Sequence, residues 1–427
     1  MSYPAVTHYL KQLIDNYSAC HPASEAEWQQ AGKAMPGGNT RSSLWMSPFP
    51  LCITDGDGCR IRDSDGHHYL DFLGEFTAGI FGHTPRRLID AITTTAEHGL
   101  HLSSQTPHEA HLAARLCARF PAMGRVRFSN SGTEANLMAI VAARAFTGRS
   151  RIIVFQGGYH GGVLSFGLAD NPVNAPFEFI VLPYNDLPKV AAALQQQGES
   201  VAAVLVEPMQ GAGGCVVGDP AFLQGLRDLT TRHGALLIFD EVQTARMAAG
   251  GVQQRLNIAP DLTTLGKFFG GGLAFGAFGG RTDVMDQFNP LNPRALSHAG
   301  TFNNNALTMA AGIVAIDHYL TPEALDALYA RGETFRQRIA DLIAAKNAPY
   351  YVTGMGSIMN IHPLHAEGEV RSMMGRILHL EMLARGIWFA QRGLVALSLP
   401  IGGQEMDDFI AALSDTLEAV GTYCTEC

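Results

Sequence analysis

Lys267 stands in Leu265-Gly266-Lys267-Phe268-Phe269-Gly270, a lone amine among apolar residues and glycines. Desolvation in such a setting lowers an ammonium pKa and favours the neutral amine that Schiff-base chemistry needs. The commoner fate of a single lysine is to snorkel to solvent. Asp240 closes the apolar run Ala235–Phe239. A carboxylate at the end of a buried strand is costly without a partner, and Asp240 could face a protonated ring nitrogen, a metal or its own turn. Ser131-Gly132-Thr133 opens directly into a helical pattern over 134–147. Hydroxyls and unpaired N–H groups at a helix start make an anion site, although Ser-Gly-Thr alone usually reads as a cap. In Gln156-Gly157-Gly158-Tyr159-His160-Gly161-Gly162 the glycines clear space, and Tyr159 or His160 could stack on a flat ring. A phosphate cradle, a stacking aromatic, a carboxylate and a poised lysine are together the parts that pyridoxal 5′-phosphate requires, its ring being an electron sink.

The elements that must position these groups alternate in type. Ile152–Phe155, Phe179–Leu182, Ala202–Val206 and Ala235–Phe239 read as short buried strands. Between them Glu134–Thr147, Leu187–Gln197 and Pro220–His233 carry helical apolar spacing. Such alternation predicts an α/β fold with a mostly parallel central sheet covered by helices on both faces. Ligands on such sheets bind beyond the carboxyl ends of the strands, where all four features fall. The flanks predict a smaller α+β domain. It has an antiparallel unit over 53–71, then helices at Glu323–Asn347, Met373–Arg385 and Gln404–Val420 interleaved with strands near 350–353, 357–362 and 395–399.

Composition closes off other classes. The 427 residues are 47% hydrophobic and 16% charged, with a net charge of −9 and no basic run, which argues against a nucleic-acid binder. No signal-peptide pattern opens the chain and no apolar stretch reaches the roughly 20 residues of a membrane helix. Seven scattered cysteines read as reduced thiols in the cytoplasm, and Cys424-x-x-Cys427 lacks a second pair to complete a zinc site, so no metal is expected. A nicotinamide-dependent oxidoreductase would share the sheet pattern, but no G-x-G-x-x-G turn follows the first strand.

SNSGTEAN at 129–136, GGYHGG at 157–162, FDEVQT at 239–244, LGK at 265–267 and GTFNNN at 300–305 resemble the class III aminotransferases, a group of fold-type I pyridoxal phosphate enzymes, over nearly the whole chain. The resemblance implies Lys267 as the lysine that carries the cofactor and shuttles the substrate proton, and Asp240 as partner of the pyridine nitrogen. It implies Tyr159 and Val242 on the two ring faces, Gln243 near the phenolic oxygen, and Ser131, Gly132 and Thr133 at the phosphate. Thr301 from a neighbouring subunit would join them, which implies a homodimer with shared sites. It also implies a large cofactor-binding domain over 72–310 and a small domain built from 1–71 and 311–427.

Within the group, MPGGNTRS at 35–42, GEFTAGIFGH at 74–83, VLVEPMQGAGG at 204–214 and RGLVALSLP at 392–400 are similar to the β-phenylalanine aminotransferases. TLGKFFGGGLAFGAFGGR at 264–281 is similar to the glutamate-1-semialdehyde aminomutases, whose chemistry is the alternative. A transaminase takes two substrates through one site, and arginine forks suit their carboxylates. Arg41 in a turn-rich segment and Arg392 just before an apolar strand are the arginines that the resemblance raises from solvated surface to substrate ligands, with Glu75 and Phe76 beside them. Phe81 and Trp45 are further candidates for an aromatic wall. The expected reaction moves the amino group of an aromatic β-amino acid to 2-oxoglutarate or pyruvate.

Overall fold

The computed structural model describes residues 3–167 and 171–425. Two compact units divide the chain: Arg86–Tyr329, and Met1–Pro85 with Ala330–Cys427. The divisions fall at 85/86 and 329/330 rather than at 71/72 and 310/311. The chain after Asp71 stays bonded within its own unit, the Phe72 N–H donating to the Trp388 carbonyl at 2.8 Å and the Leu399 N–H to the Ile80 carbonyl at 2.7 Å. At the other end, helix Ala306–Val314 packs on helices Arg86–Glu97 and Pro107–Arg119 and so remains with the central unit.

Seven strands form the sheet of unit Arg86–Tyr329: β1 (Arg125–Ser129), β2 (Arg151–Phe155), β3 (Glu178–Leu182), β4 (Val201–Val206), β5 (Leu236–Asp240), β6 (Leu262–Gly266) and β7 (Gly276–Gly280). Their order is β1-β7-β6-β5-β4-β2-β3. All are parallel except β7, which runs antiparallel to both β1 and β6. Three helices cross over between parallel strands: α1 (Gly132–Thr147), α2 (Leu187–Gln197) and α3 (Pro220–His233).

The apolar runs are continuous because both sheet faces are buried. Ile152, Val154, Ala203, Leu205, Leu236 and Ile238 point into one core with Ala139, Ile140 and Ala143 of α1. Their neighbours Ile153, Phe155, Val204, Val206, Leu237 and Phe239 point into a second core with Val190 of α2 and Leu223 and Leu226 of α3. Each fully buried aliphatic side chain contributes about 1.5–3 kcal/mol. The glycine-rich stretch at 270–280 ends in strand β7. A side chain at Gly280 would meet the Asp261 carbonyl and one at Gly276 the Ser131 carbonyl, so β7 fits between its neighbours only without side chains there.

The other unit has two small sheets. Ile53–Asp57, Arg60–Asp63 and His68–Asp71 pair antiparallel, and Ile387–Trp388 adds a parallel fourth strand. Tyr350–Met355, Ile358–Pro363 and Leu394–Ala396 form the second, fully antiparallel sheet. Helices Tyr3–Cys20, Gly403–Thr425 and α4 (Gly368–Ala384) cover them. Phe72, Phe335 and Phe409 meet with ring centroids 4.8–5.8 Å apart and join the N-terminal and C-terminal segments of this unit in one aromatic core. Among the described residues no helix is long and apolar enough to cross a membrane. Cys20, Cys52, Cys59, Cys117 and Cys215 are free thiols, while Cys427 and the Cys424 side chain lie outside the described residues.

Asp261, 4% exposed, fastens the start of β6 to β5. Its carboxylate accepts the Leu237 N–H at 2.8 Å and pairs with Arg281 at 2.8 Å and Arg227 at 2.9 Å. Removing the carboxylate leaves the buried Leu237 N–H without an acceptor, a loss of about 1–3 kcal/mol. Asp261→Ala should therefore lower the urea midpoint of unfolding markedly; a midpoint equal to wild type would show that these pairs do not support the sheet.

Candidate active site

Strand register gathers the chemistry at one edge of the large sheet. Ser129 pairs with Gly276, Gly276 with Gly266, and Asp240 with Thr264, so the carboxyl ends of β1, β5 and β6 lie together. Glycine is required where these ends crowd. A Cβ on Gly132 would come 3.0 Å from the Val242 methyls, and one on Gly266 would come 3.1 Å from the same side chain. Lys267 follows Gly266 with φ +54°, a left-handed conformation that a long side chain seldom adopts without surrounding constraint. Its side chain is half-buried, between Gly266 and the fully buried Phe268 and Phe269.

Asp240 is 4% exposed, and its carboxylate accepts hydrogen bonds from three directions. Oδ1 accepts the Val242 N–H at 3.0 Å. Oδ2 accepts Asn136 Nδ2 at 2.9 Å and the His160 Nδ1–H at 2.8 Å. Asn136, on α1, is itself oriented by the Thr264 hydroxyl, which donates to its Oδ1 at 2.7 Å. The adjacent Glu241 turns the other way, accepting the Thr244 hydroxyl at 2.5 Å and the Gln253 N–H at 2.8 Å. Of the two neighbouring carboxylates, Glu241 is structural and Asp240 belongs to the edge.

His160 is 2% exposed and serves as a partner of Asp240, which leaves Tyr159, 44% exposed, as the ring free to stack. Burial disfavours charge on His160, but the hydrogen bond to Asp240 and the negative charges of Asp240 and Glu207 outweigh it and raise its pKa. Glu207 lies just past β4 and ties two loops together, accepting the Tyr159 N–H at 2.9 Å and the Gly211 N–H at 3.2 Å. Burial pushes its carboxyl up to about 7, against the opposing pull of His160.

At the start of α1, Ser131 Oγ accepts the Glu134 N–H at 3.1 Å and Glu134 accepts the Asn130 N–H at 2.7 Å, a local cap. The Ser131 O–H and the first-turn N–H groups of Gly132 and Thr133 remain as donors at the positive end of the helix dipole. The glycine loop passes over this start: the Gly162 N–H donates to Thr133 Oγ1 at 3.3 Å, and a Cβ on Gly161 would come 2.6 Å from the Thr133 Cβ. Gln243 carries a buried amide oxygen without a hydrogen-bond partner. An anion cradle, a buried carboxylate and a free tyrosine ring fit pyridoxal 5′-phosphate. Thr301 is exposed in the turn before helix Ala306–Val314.

Arg41, Glu75 and Arg392 belong to the other unit. Gly74, Glu75, Phe76 and Thr77 all have positive φ, from 49° to 79°, a strained turn that lifts Phe76. The Arg41 guanidinium lies 5.3 Å from the Phe76 ring centroid and that of Arg392 lies 5.7 Å from the same ring, while Arg41 also pairs with Glu75. Both arginines therefore flank one aromatic. Trp45 is exposed and packs against Trp28 at 5.7 Å, whereas Phe81 is 7% exposed and belongs to the interior.

Sequence reading did not assign Asn136, Thr264 or Glu207. Each stands inside a motif quoted for resemblance or in a strand, but its role depends on which loop lies opposite, and spacing along the chain carries no such information.

The profile of the family described as aminotransferase class-III matches residues 42–417. The β-phenylalanine transaminase of Variovorax paradoxus is 45% identical over 99% of this chain and 98% of its own. A crystal structure of a β-phenylalanine aminotransferase from the same organism superposes with a TM-score of 0.95 at 44% identity, covering 98% of each chain. A glutamate-1-semialdehyde 2,1-aminomutase of Brevibacillus brevis is 39% identical over 77% of this chain and 81% of its own.

Glu207 sets a pH-dependent stability term. Its folded pKa of about 7 lies above the ordinary glutamate value, so the folded state holds the extra proton between the two, and stability falls as pH rises through that window. In the cofactor-free enzyme Glu207→Gln, which mimics the neutral acid, should gain about 2–3 kcal/mol relative to wild type between pH 5 and pH 8. Parallel urea titrations at the two pH values test this; a constant difference would mean that Glu207 ionises at an ordinary pKa.

Proposed function

We propose, for a chain that belongs to the class III aminotransferase family, that it carries the amino group of an aromatic β-amino acid to a 2-oxo acid. The protein is a pyridoxal 5′-phosphate-dependent transaminase. The choice of a β-amino acid rests on one observation above others: Arg41 and Arg392 flank the single ring of Phe76. One guanidinium would take the carboxylate of the donor and the other that of the acceptor, with the aromatic face beside them for an aryl side chain. The identity to the Variovorax transaminase supports the same substrate class.

The cofactor, when bound, supplies an electron sink for the negative charge that develops at the amine-bearing carbon. Lys267 Nζ would take the proton from that carbon and deliver it to the cofactor carbon bonded to the same nitrogen, so that the amino group stays with the cofactor. Asp240 keeps a proton on the ring nitrogen, and His160 and Asn136 fix the carboxylate against that nitrogen. Ser131, Gly132 and Thr133 bind the phosphate, Tyr159 and Val242 bracket the ring, and the Gln243 amide takes the phenolic oxygen. Glu75 holds Arg41 until a substrate carboxylate competes for it.

We also infer a homodimer in which the partner subunit's Thr301 completes the phosphate site. Its support is the exposure of Leu100, Leu102, Leu291 and Phe302 on the unit that carries Thr301, apolar surface of the kind a subunit interface covers. The free thiols support a reducing, cytoplasmic setting. An aminomutase would instead keep both amino positions on one molecule, and a released keto product from separate donor and acceptor excludes it.

Lys267→Ala should abolish turnover while the purified enzyme still retains cofactor noncovalently. Multiple turnovers by this variant without added amine would remove Lys267 from the mechanism. Arg41→Ala should lower kcat/KM for a β-amino acid by roughly ten- to a hundredfold, the loss of one charge-assisted pair. An aryl-alkyl amine without a carboxylate should be far less affected; equal losses for both donors would make Arg41 structural.

A further inference from the structure

The unit formed by Met1–Pro85 and Ala330–Cys427 brings two histidines and an aspartate together from separate segments. His21 stands between helices Tyr3–Cys20 and Pro22–Gly32, Asp63 ends strand Arg60–Asp63, and His67 closes the turn into strand His68–Asp71. His21 Nε2 lies 3.7 Å from Asp63 Oδ2, His67 Nδ1 lies 3.1 Å from the same oxygen, and all three atoms fall within 4.8 Å of one another. A tetrahedral ion with bonds of about 2.0–2.2 Å holds its ligand atoms about 3.3–3.6 Å apart. Two of the spacings are already close to this, and the His67 side chain, 44% exposed, has room to close the third.

His21 and Asp63 are each oriented by further partners. The His21 Nδ1–H donates to the Tyr17 carbonyl at 2.7 Å, so a neutral ring presents a lone pair at Nε2. Asp63 Oδ1 accepts the Asp65 N–H at 3.0 Å and the His67 N–H at 2.8 Å, and Oδ2 accepts the Tyr69 hydroxyl at 2.7 Å. Partners of this kind fix tautomer and angle at metal sites.

The same contacts are short of a proton. Tyr69 Oη lies within hydrogen-bond distance of both His21 Nε2, at 3.0 Å, and Asp63 Oδ2, at 2.7 Å. A phenol carries a single proton, and both neighbours are acceptors. Whichever it serves, the other contact sets lone pairs face to face in a buried setting, which is unfavourable. Added positive charge relieves this, either as a second proton on His21 or as a cation that takes the Nε2 lone pair. Burial works against the proton and lowers the His21 pKa. A cavity of about 350 Å³, lined by Tyr17, His21, His67 and Tyr69 and by Leu380 and Leu383 of α4, borders the cluster, and the exposed His67 opens it to solvent.

We propose that His21 Nε2, Asp63 Oδ2 and His67 Nδ1 bind a divalent transition-metal ion, zinc being the best fit to two imidazoles and a carboxylate. Water from the cavity takes the fourth position, and the ion clips the N-terminal helices to strands Arg60–Asp63 and His68–Asp71. The expectation of no metal rested on cysteine spacing, which carries no information about histidines and a carboxylate drawn from two segments. None of the three residues takes part in transamination, so the proposal stands independently of the substrate reading.

Calorimetric titration of the tag-free holoenzyme with zinc chloride, after a chelator has removed adventitious metal, tests the proposal. We expect one site per chain with a dissociation constant below about 10 μM. His67→Gln and His21→Gln should each weaken it at least about tenfold. His67 is exposed, so its variant serves if His21→Gln does not fold. Saturating zinc should raise the Tm of wild type and not that of His67→Gln, since a ligand of the folded state stabilises it. Cobalt in place of zinc should give visible bands of nitrogen and oxygen ligation without thiolate absorption. Thiolate absorption would move the ion to Cys20, which also lines the cavity, and would overturn the proposal. Absence of saturable binding by wild type, or binding and stabilisation that folded His67→Gln retains unchanged, would overturn it equally.

Discussion

A buried carboxylate with no partner would be untenable at the end of a central strand, and much of this molecule follows from how Asp240 is accommodated. Its donors come from three places: the turn just after β5, the first turns of α1, and the glycine loop after β2. Each donor is held in turn. Thr264 on β6 fixes Asn136, and Glu207 after β4 fixes the backbone of the residue before His160. Strands β2, β4, β5 and β6 are consecutive neighbours in the sheet, so the network spans contiguous strand ends and depends on their order. With three hydrogen bonds fixing its position and one acceptor site left, Asp240 is a pre-organised carboxylate, the kind of group that electrostatic stabilisation of a cation uses.

The same edge is organised by the absence of side chains. Gly132, Gly266 and Gly276 lie where α1, β6 and β7 converge, and Val242 fills the space between the first two. Backbone approaches backbone closely here, which brings helix N–H groups and the lysine to the strand ends without an intervening shell of residues. The left-handed Lys267 belongs to this compression. A strained backbone at Lys267 is retained because sheet and helix packing over-determine it.

In the unit built from both chain ends the logic is one of arginine and aromatic surfaces. Four consecutive left-handed residues hold Phe76 between two guanidinium groups.

The sequence by itself determined the alternation of strands and helices, because a two-faced buried strand leaves a continuous apolar run and a crossover helix leaves a 3.6-residue period. It also picked out Lys267, Asp240 and the Ser131–Thr133 helix start as candidates for a cofactor site, because they lie in motifs whose chemistry is local. Only the tertiary structure decided that Gly276–Gly280 is an antiparallel strand, since glycines there answer to neighbouring backbones and not to a turn. It also decided that His160 serves Asp240 while Tyr159 stays free, a choice between adjacent residues that depends on what lies across the sheet edge. Glu207 was silent in the sequence for the same reason. A carboxylate becomes a positioning group, with a raised pKa, only when folding brings a loop from another strand within hydrogen-bond distance and excludes water around it.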